Sequence, residues 1–135
     1  MTFLDLKGRE RKLRKAKGSI IDWHKVTRSK FQDATKKFLY PFWKDDQVFE
    51  EMRIVGTLMR FDIYNHSKKI VIETAGRQHS QFVKHFHKTR AGFLKQVKRD
   101  LLKHDFCEIN GISLVEIASE KELTYEYFLS QGVEL

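Results

Sequence analysis

The segment that decides the fold reads Arg60-Phe61-Asp62-Ile63-Tyr64, then a polar turn, then Lys69-Ile70-Val71-Ile72-Glu73-Thr74-Ala75-Gly76-Arg77-Gln78-His79. Both runs are rich in the β-branched and aromatic residues that favour strands. Each run carries one carboxylate, Asp62 or Glu73. An acid in apolar surroundings is costly unless it is paired or holds a metal. The segment therefore predicts a β-hairpin whose two acids need a partner.

The neighbouring sequence predicts further strands around this hairpin. Residues 47–55 predict a strand before it, and residues 58–65 and 69–74 form the hairpin itself, which gives an antiparallel three-stranded meander. The Ile-Val-Ile run of the third strand is typical of a strand buried on both faces. A strand over residues 112–117 follows a helix, which favours a crossover and a parallel pairing.

Three helices are expected to flank this mixed sheet. The first begins at Thr27 or Ser29 and is expected to end at Tyr40, before Pro41. The second begins at Thr89 and reaches about His104, with an apolar stripe of Phe93, Leu94, Val97, Leu101 and Leu102. A short β-like run follows at 106–109, and Ser119 opens a capping box before a closing helix. The fold class is α/β, with the order α, β-β-β, α, β, α.

The chain of 135 residues has a net charge of +8, from 26 Lys or Arg against 18 Asp or Glu. Such a basic balance indicates an anionic partner, most often nucleic acid. The single cysteine, Cys107, excludes an internal disulfide and a cysteine-based zinc site, and it fits a reducing compartment. No apolar run is long enough to span a membrane, so we expect a cytoplasmic protein with no membrane partner.

The positive charge is concentrated in two segments. Residues 1–17 carry seven Lys or Arg against two acids, and residues 84–104 carry seven against one. We expect residues 1–27 to form a basic DNA-binding arm, flexible over residues 7–17, and residues 28–135 to form the nuclease core domain; solvated helix faces are the alternative. The candidate phosphate contacts are Arg9, Arg11, Lys12, Arg14, Lys15, Lys17, Arg77, Lys84, Lys88 and Lys103.

The hairpin supplies the chemistry that phosphodiester hydrolysis requires. Mg²⁺ prefers carboxylate oxygens, keeps several waters, and both activates water and holds developing charge. Asp62 and Glu73 on adjacent strands can meet on one ion. Gly76 lets the chain turn sharply, which brings Gln78 and His79 back beside the strand end. A histidine there can orient a water or transfer a proton near neutral pH.

The spacing of these residues resembles a known family. Asp62, ten intervening residues and then Glu73-x-x-Gly76-x-Gln78-His79 resemble the PD-(D/E)XK nuclease superfamily, in particular the branch of very-short-patch repair endonucleases and phage homing endonucleases. The similarity extends over about residues 28–118. Its later part is carried by Phe86, Phe93, Gln96, Arg99, Asp100, Lys103, Cys107, Gly111 and Ile112.

The resemblance implies a restriction-endonuclease-like core and a metal-dependent DNA endonuclease. By that resemblance Asp62 is the principal Mg²⁺ ligand and Glu73 the second acid, with Mn²⁺ able to substitute and no organic cofactor. Gln78 and His79 serve the water or the scissile phosphate. Asp100 orients His79 or completes the acid cluster, and Lys103 contacts phosphate. The partner is double-stranded DNA, and a homodimer is plausible if the target is long.

Three departures from the family pattern bear on this hypothesis. Ala75 stands where the motif has lysine, so a catalytic lysine must come from elsewhere or be replaced by Gln78 and His79. Relatives often carry a glutamate in the first helix, where this chain has Gln32 and Asp33. The zinc-binding cysteines of the repair branch are absent. The pattern therefore favours a free-standing homing endonuclease of phage type, acting in a bacterial or phage-infected cell.

Two other functions remain open from the sequence. One is a nucleic-acid-binding protein that kept this fold and lost its chemistry. The other is a structure-selective nickase or junction nuclease.

Overall fold

The computed structural model describes residues 1–13, 19–74 and 89–135. Within those ranges the strands are β1 (Thr2–Leu4), β2 (Glu10–Lys12), β3 (Val48–Arg53), β4 (Arg60–Asn65), β5 (Ile70–Glu73) and β6 (Ser113–Glu116). The helices are α1 (Lys30–Trp43), α2 (Arg90–Ile109) and α3 (Tyr125–Ser130), with a short 3₁₀ helix at Glu120–Glu122.

A mixed four-stranded sheet forms the centre of the molecule, in the order β3-β4-β5-β6. The pairs β3/β4 and β4/β5 are antiparallel, and β5/β6 is parallel. Both the predicted meander and the predicted parallel strand are therefore confirmed. The chain is an α/β protein in which α1 precedes the meander and α2 makes the crossover to β6.

Apolar side chains pack on both faces of this sheet. Val71 belongs to a cluster with Phe61, Tyr64 and Phe106, while Ile70 and Ile72 belong to a second cluster with Leu39, Trp43, Val115 and Phe128. All residues of β5 are buried. The prediction that this strand lies between two apolar layers is confirmed, and the strand delivers Glu73 at its end.

The alternation of side chains along β3 is interrupted at Glu51, which has a left-handed backbone with φ of 53°. Phe49 and Met52 belong to the same cluster although they are three residues apart. A strand of strict period two sends residues at odd separations to opposite faces. The left-handed residue therefore interrupts the alternation without inserting an extra residue, since the register of β3 with β4 is the same on both sides of Glu51.

The N-terminal residues form a β-hairpin rather than the flexible arm expected from the sequence. β1 pairs with β2 in antiparallel register, from Thr2 with Lys12 to Leu4 with Glu10. Phe3 is only 3% exposed and lies in the core against Tyr64 and Phe106. The expectation of a flexible arm is wrong for residues 7–12, because burial of Phe3 fixes the hairpin on the sheet.

The helix starts were predicted correctly, but three boundaries differ. Ser29 and Thr89 cap α1 and α2 through their side-chain oxygens, as expected. α1 continues through Pro41 to Trp43, because a proline in the last turn removes only one hydrogen bond. α2 absorbs residues 106–109, which were expected to be β-like. Thr124 caps the closing helix α3; Ser119 precedes the 3₁₀ helix and makes no side-chain cap.

The apolar stripe expected on α2 is only partly covered by the described residues. Leu94 and Leu101 are 62% and 60% exposed, and the buried residues of this helix are Phe106 and Cys107 near its C-terminal end. The C-terminal part of α2 therefore anchors the helix to the sheet and places Lys103 beside β5.

Candidate active site

The strand register places Asp62 beside Glu73. Ile63 pairs with Ile72 in the antiparallel ladder, so the next residues outward, Asp62 and Glu73, face each other across the two strands. The backbone N–H of Asp62 donates a hydrogen bond to Glu73 Oε2 at 3.1 Å. The strand register therefore brings the two acids side by side, and their sharing of one metal ion stays a prediction.

The carboxylate of Asp62 is held by the residue that follows Glu73. Its Oδ2 accepts hydrogen bonds from the backbone N–H of Thr74 at 2.9 Å and from the Thr74 hydroxyl at 3.0 Å. Asp62 is half-buried, and these two hydrogen bonds fix the orientation of its side chain.

Glu73 lies deeper and pairs with a lysine from α2. Lys103 Nζ lies 2.5 Å from Glu73 Oε1, and the two side chains are 16% and 4% exposed. Burial, together with the charge of Asp62, raises the pKa of Glu73 to about 8, although Lys103 lowers it. Two carboxylates side by side disfavour double ionisation. A positive charge in addition to that of Lys103 would therefore favour the ionised form of both carboxylates.

Glu51 is an acid near this pair that the sequence did not reveal. The β3/β4 register, with Glu50 opposite Ile63 and Met52 opposite Phe61, puts Glu51 opposite Asp62. Burial and then the charge of Asp62 raise the pKa of Glu51, while the nearby Gln32 amide opposes this effect. Its left-handed backbone is uncommon for a residue with a side chain and costs on the order of 1–3 kcal/mol.

The two first-helix positions noted in the sequence have different environments. Gln32 is buried near Glu51, and among the described residues its Nε2 makes no hydrogen bond of good geometry. Asp33 accepts a hydrogen bond from the backbone N–H of Thr27 at 2.8 Å, which ties down the start of the helix. Gln32 is thus the residue of α1 that faces the acids, and Asp33 has a structural role.

A further acid, Glu116, is the register partner of Glu73 on β6. Glu116 Oε1 lies 3.0 Å from His104 Nε2, so consecutive residues of α2, Lys103 and His104, each contact one of the two glutamates. This pairing depends on how α2 docks across the sheet, which no local sequence pattern specifies.

Several predicted site residues lie outside the described residues. These are Gln78 and His79 among the catalytic candidates, and Arg14, Lys15, Lys17, Arg77, Lys84 and Lys88 among the candidate DNA contacts. Asp100 lies one turn before Lys103 on α2 and is partly buried. The roles given to these residues stay predictions.

The basic residues of the N-terminal hairpin are partly engaged within the protein. Arg9 Nε and Arg11 Nη1 lie 3.3 and 3.4 Å from Asp5 Oδ2. Their side chains nevertheless remain largely exposed, as does Lys12. The hairpin therefore presents its positive charge from a fixed position.

Among the described residues, the candidate metal ligands at this site are the two acids Asp62 and Glu73. Within residues 1–13, 19–74 and 89–135, no three His, Cys, Asp or Glu side chains converge on a point where a metal ion could bind. In the same ranges, no helix is both long enough and apolar enough to cross a membrane.

Comparison with known proteins finds relatives among viral proteins. The chain is 31% identical over 98 residues to uncharacterized protein 033L of Invertebrate iridescent virus 3, covering 69% of this chain and 50% of that protein. It is 37% identical over 59 residues to uncharacterized protein 307L of Invertebrate iridescent virus 6, covering 44% and 30%. It is 41% identical over 63 residues to uncharacterized protein 094L of Frog virus 3, covering 46% and 41%.

The chain thus spans at most half the length of these curated relatives. No family model matches the sequence, and no solved structure matches it. The function is therefore argued from the fold and the geometry of the site.

Proposed function

We propose that this protein is a metal-dependent DNA endonuclease with a restriction-endonuclease-like core. The order α1, β3-β4-β5, α2, β6, with two antiparallel pairings followed by one parallel pairing, supports the core expected from the sequence resemblance. The observation that carries the proposal is the pairing of Asp62 with Glu73 at the ends of adjacent strands, with Lys103 beside them.

The two acids fit Mg²⁺. This ion is usually bound through one or two carboxylates while it keeps several waters, so a third protein ligand is not required. Thr74 fixes the orientation of the Asp62 carboxylate, and burial together with the charge of Asp62 raises the pKa of Glu73, an effect that a bound cation would oppose. Asp62 and Glu73 would hold the ion. When bound, it supplies an activated water and stabilises the negative charge that develops on the phosphate.

Lys103 can supply the ammonium group that the family motif would carry at position 75, where this chain has alanine. Its ammonium group contacts the second acid of the pair, and it reaches that place from α2 rather than from β5. An ammonium group there can donate hydrogen bonds to a phosphate oxygen or to the attacking water. Lys103 would therefore share with Gln78 and His79 the contacts to the water and the scissile phosphate that the sequence assigned to those two residues.

The remaining residues act on the substrate around this centre. Thr74 orients the Asp62 carboxylate through two hydrogen bonds. His79 and Gln78 would position the water or the leaving oxygen, with Asp100 supporting them from α2. The exposed arginines of the hairpin and the basic residues of α2 supply affinity for the phosphates of double-stranded DNA. The assignment to free-standing homing endonucleases, and a homodimer, rest on the sequence alone.

Plasmid cleavage tests the proposal. Supercoiled DNA is incubated with Mg²⁺, with Mn²⁺ and with EDTA, using the native protein, Asp62→Asn, Glu73→Gln and, as a matched control, the exposed Glu108→Gln. We expect nicking or linearisation that requires metal, survives Glu108→Gln, and falls at least 100-fold in each site variant. DNA binding without any cleavage by the native protein would instead indicate a binding protein that has lost its chemistry.

A further inference from the structure

A cleft of about 580 Å³ lies between the loop that precedes α1, the start of α1, and β3. Lys25 and Arg28 line it from the loop, Gln32 lines it from α1, and Glu51 lines it from β3. Since Glu51 lies opposite Asp62 in the strand register, one end of the cleft borders the candidate acid pair.

The amide of Gln32 is the feature of this cleft that protein contacts leave unexplained. The residue is 6% exposed, and among the described residues its Nε2 makes no hydrogen bond of good geometry, although the amide lies near enough to Glu51 to lower the pKa of that acid. A buried amide without a partner costs about 1–3 kcal/mol, so such groups are rare in folded proteins. An acceptor that enters the cleft would satisfy the amide.

The cleft is lined by three acids, Asp22, Glu50 and Glu51, and by two cations, Lys25 and Arg28, and two of the acids have a further cation nearby. Glu50 is already paired with Lys36, whose Nζ lies 3.0 Å from Glu50 Oε2. Arg60 lies near enough to Glu51 to lower its pKa. The side chains of Lys25 and Arg28 are exposed and free to bind an anion.

Apolar surface lies next to these polar groups. Ile20 and Val26 line the same cleft and are 58% and 81% exposed. A nucleotide combines the three features that this lining can recognise: a charged phosphate, a base edge with donors and acceptors, and an apolar ring face.

We infer that the cleft holds one nucleotide of the bound DNA strand, next to the phosphate that is cut. Lys25 and Arg28 contact its phosphate, the Gln32 amide donates to its base or sugar, and Ile20 and Val26 support its ring. This inference rests on the proposed nuclease function and assigns part of its substrate-binding surface.

Binding of a labelled DNA duplex by fluorescence anisotropy in EDTA, over a range of salt concentrations, tests the phosphate contacts. The variant Lys25→Ala/Arg28→Ala is compared with Lys44→Ala/Lys121→Ala, which removes two exposed charges elsewhere on the surface. We expect the cleft variant to lower affinity at least 10-fold and to reduce the salt slope by about 0.9, since both residues contact the same phosphate and each neutralised phosphate contributes about 0.9. Equal behaviour of the two double variants would overturn the inference, and so would a native protein that binds no DNA.

Gln32→Leu separates a ligand contact from a structural role. Removing an unpaired buried amide leaves stability unchanged or higher, whereas losing a ligand contact weakens binding. We therefore expect an unchanged or raised thermal midpoint together with at least 3-fold weaker DNA binding. A lowered midpoint with native affinity would assign Gln32 to the core and remove it from the cleft's contacts.

Crosslinking locates the strand directly. Cys107 is the single cysteine and is buried, and burial raises the pKa of its thiol to about 12, so Val26→Cys introduces one reactive thiol for a photo-crosslinker. Leu129→Cys on α3 is the control. We expect crosslinks from position 26 to nucleotides beside the cut site and none from position 129.

The outcomes keep the two proposals apart. In one outcome the native protein cuts DNA, the cleft variants match their controls, and position 26 gives no crosslink. The nuclease proposal then stands and the cleft inference is wrong. In another outcome the native protein binds DNA through the cleft but never cuts it. Both the nuclease proposal and the placement of the cleft beside a scissile phosphate are then wrong.

Discussion

Lys103 on α2 and Glu73 on β5 are joined by a contact of 2.5 Å between Nζ and Oε1, which ties the crossover helix to the strand that carries the second acid. The two residues are thirty positions apart in the chain. This contact couples the docking of α2 to the ionisation of the acid pair.

Lys103→Met is expected to impair both cleavage and stability. It removes the ammonium group from the acid pair and leaves Glu73 buried without its charged partner, which costs about 1–3 kcal/mol for a lost charged hydrogen bond. We expect cleavage at pH 7 to fall at least 100-fold and the urea midpoint to decrease. The exposed Lys98→Met on the same helix is the control. Native cleavage by Lys103→Met would remove the lysine from the mechanism.

The raised pKa of Glu73 predicts how stability changes with pH in the absence of metal. The folded state holds the proton up to a pKa of about 8, whereas the unfolded chain loses it near 4.5. Between these values the folded protein binds more protons than the unfolded chain, so stability falls as pH rises. The effect is on the order of a few kcal/mol.

Urea unfolding in EDTA between pH 5 and 8.5 measures this dependence. Glu73→Gln is neutral at every pH and should flatten the curve. A native curve as flat as that of Glu73→Gln would show that Lys103 keeps Glu73 ionised throughout the range.

Mg²⁺ is expected to stabilise the folded protein through the same pair. A ligand present at 100 times its dissociation constant adds about 2.7 kcal/mol when it binds only the folded state. The thermal midpoint should rise with Mg²⁺ concentration at pH 8, where the ion replaces the proton on Glu73. Asp62→Asn should abolish the rise, and Glu108→Gln should retain it. A rise of equal size in Asp62→Asn would place the ion elsewhere.

The sheet could be predicted from the sequence because its signals are local. The Ile-Val-Ile run of β5, the turn before it and the helix after it specify strand order and direction together. The facing of Asp62 and Glu73 follows from that register. The Lys103 contact could not be predicted in the same way, because it depends on how far α2 runs and where it crosses the sheet.

Two features near the site and the sheet also lacked a local signal. The left-handed backbone of Glu51 arises in a segment with no glycine or asparagine to mark it. β2 consists of Glu10, Arg11 and Lys12, which are exposed and show no apolar alternation, so the hairpin was read as an arm. Phe3, which is buried against residues more than fifty positions away, shows that this segment belongs to the core.

Phe3→Ala gives opposite results for a flexible arm and for a docked hairpin. Truncating a phenylalanine on a free arm changes stability by less than about 0.5 kcal/mol, whereas truncating one in a packed core costs about 3–5 kcal/mol. The ring contacts Tyr64 and Phe106, so we expect the larger loss in urea unfolding.

Asn110 supplies a second test of the same docking. Its side chain accepts a hydrogen bond from the backbone N–H of Leu4 at 2.8 Å and donates to the Leu4 carbonyl at 2.9 Å, which ties β1 to the end of α2. Asn110→Ala should cost about 1–3 kcal/mol and increase hydrogen exchange in residues 2–12. Since the hairpin also carries Arg9 and Arg11, the variant should weaken DNA binding as well. Unchanged exchange in the hairpin would mean that Phe3 alone holds it in place.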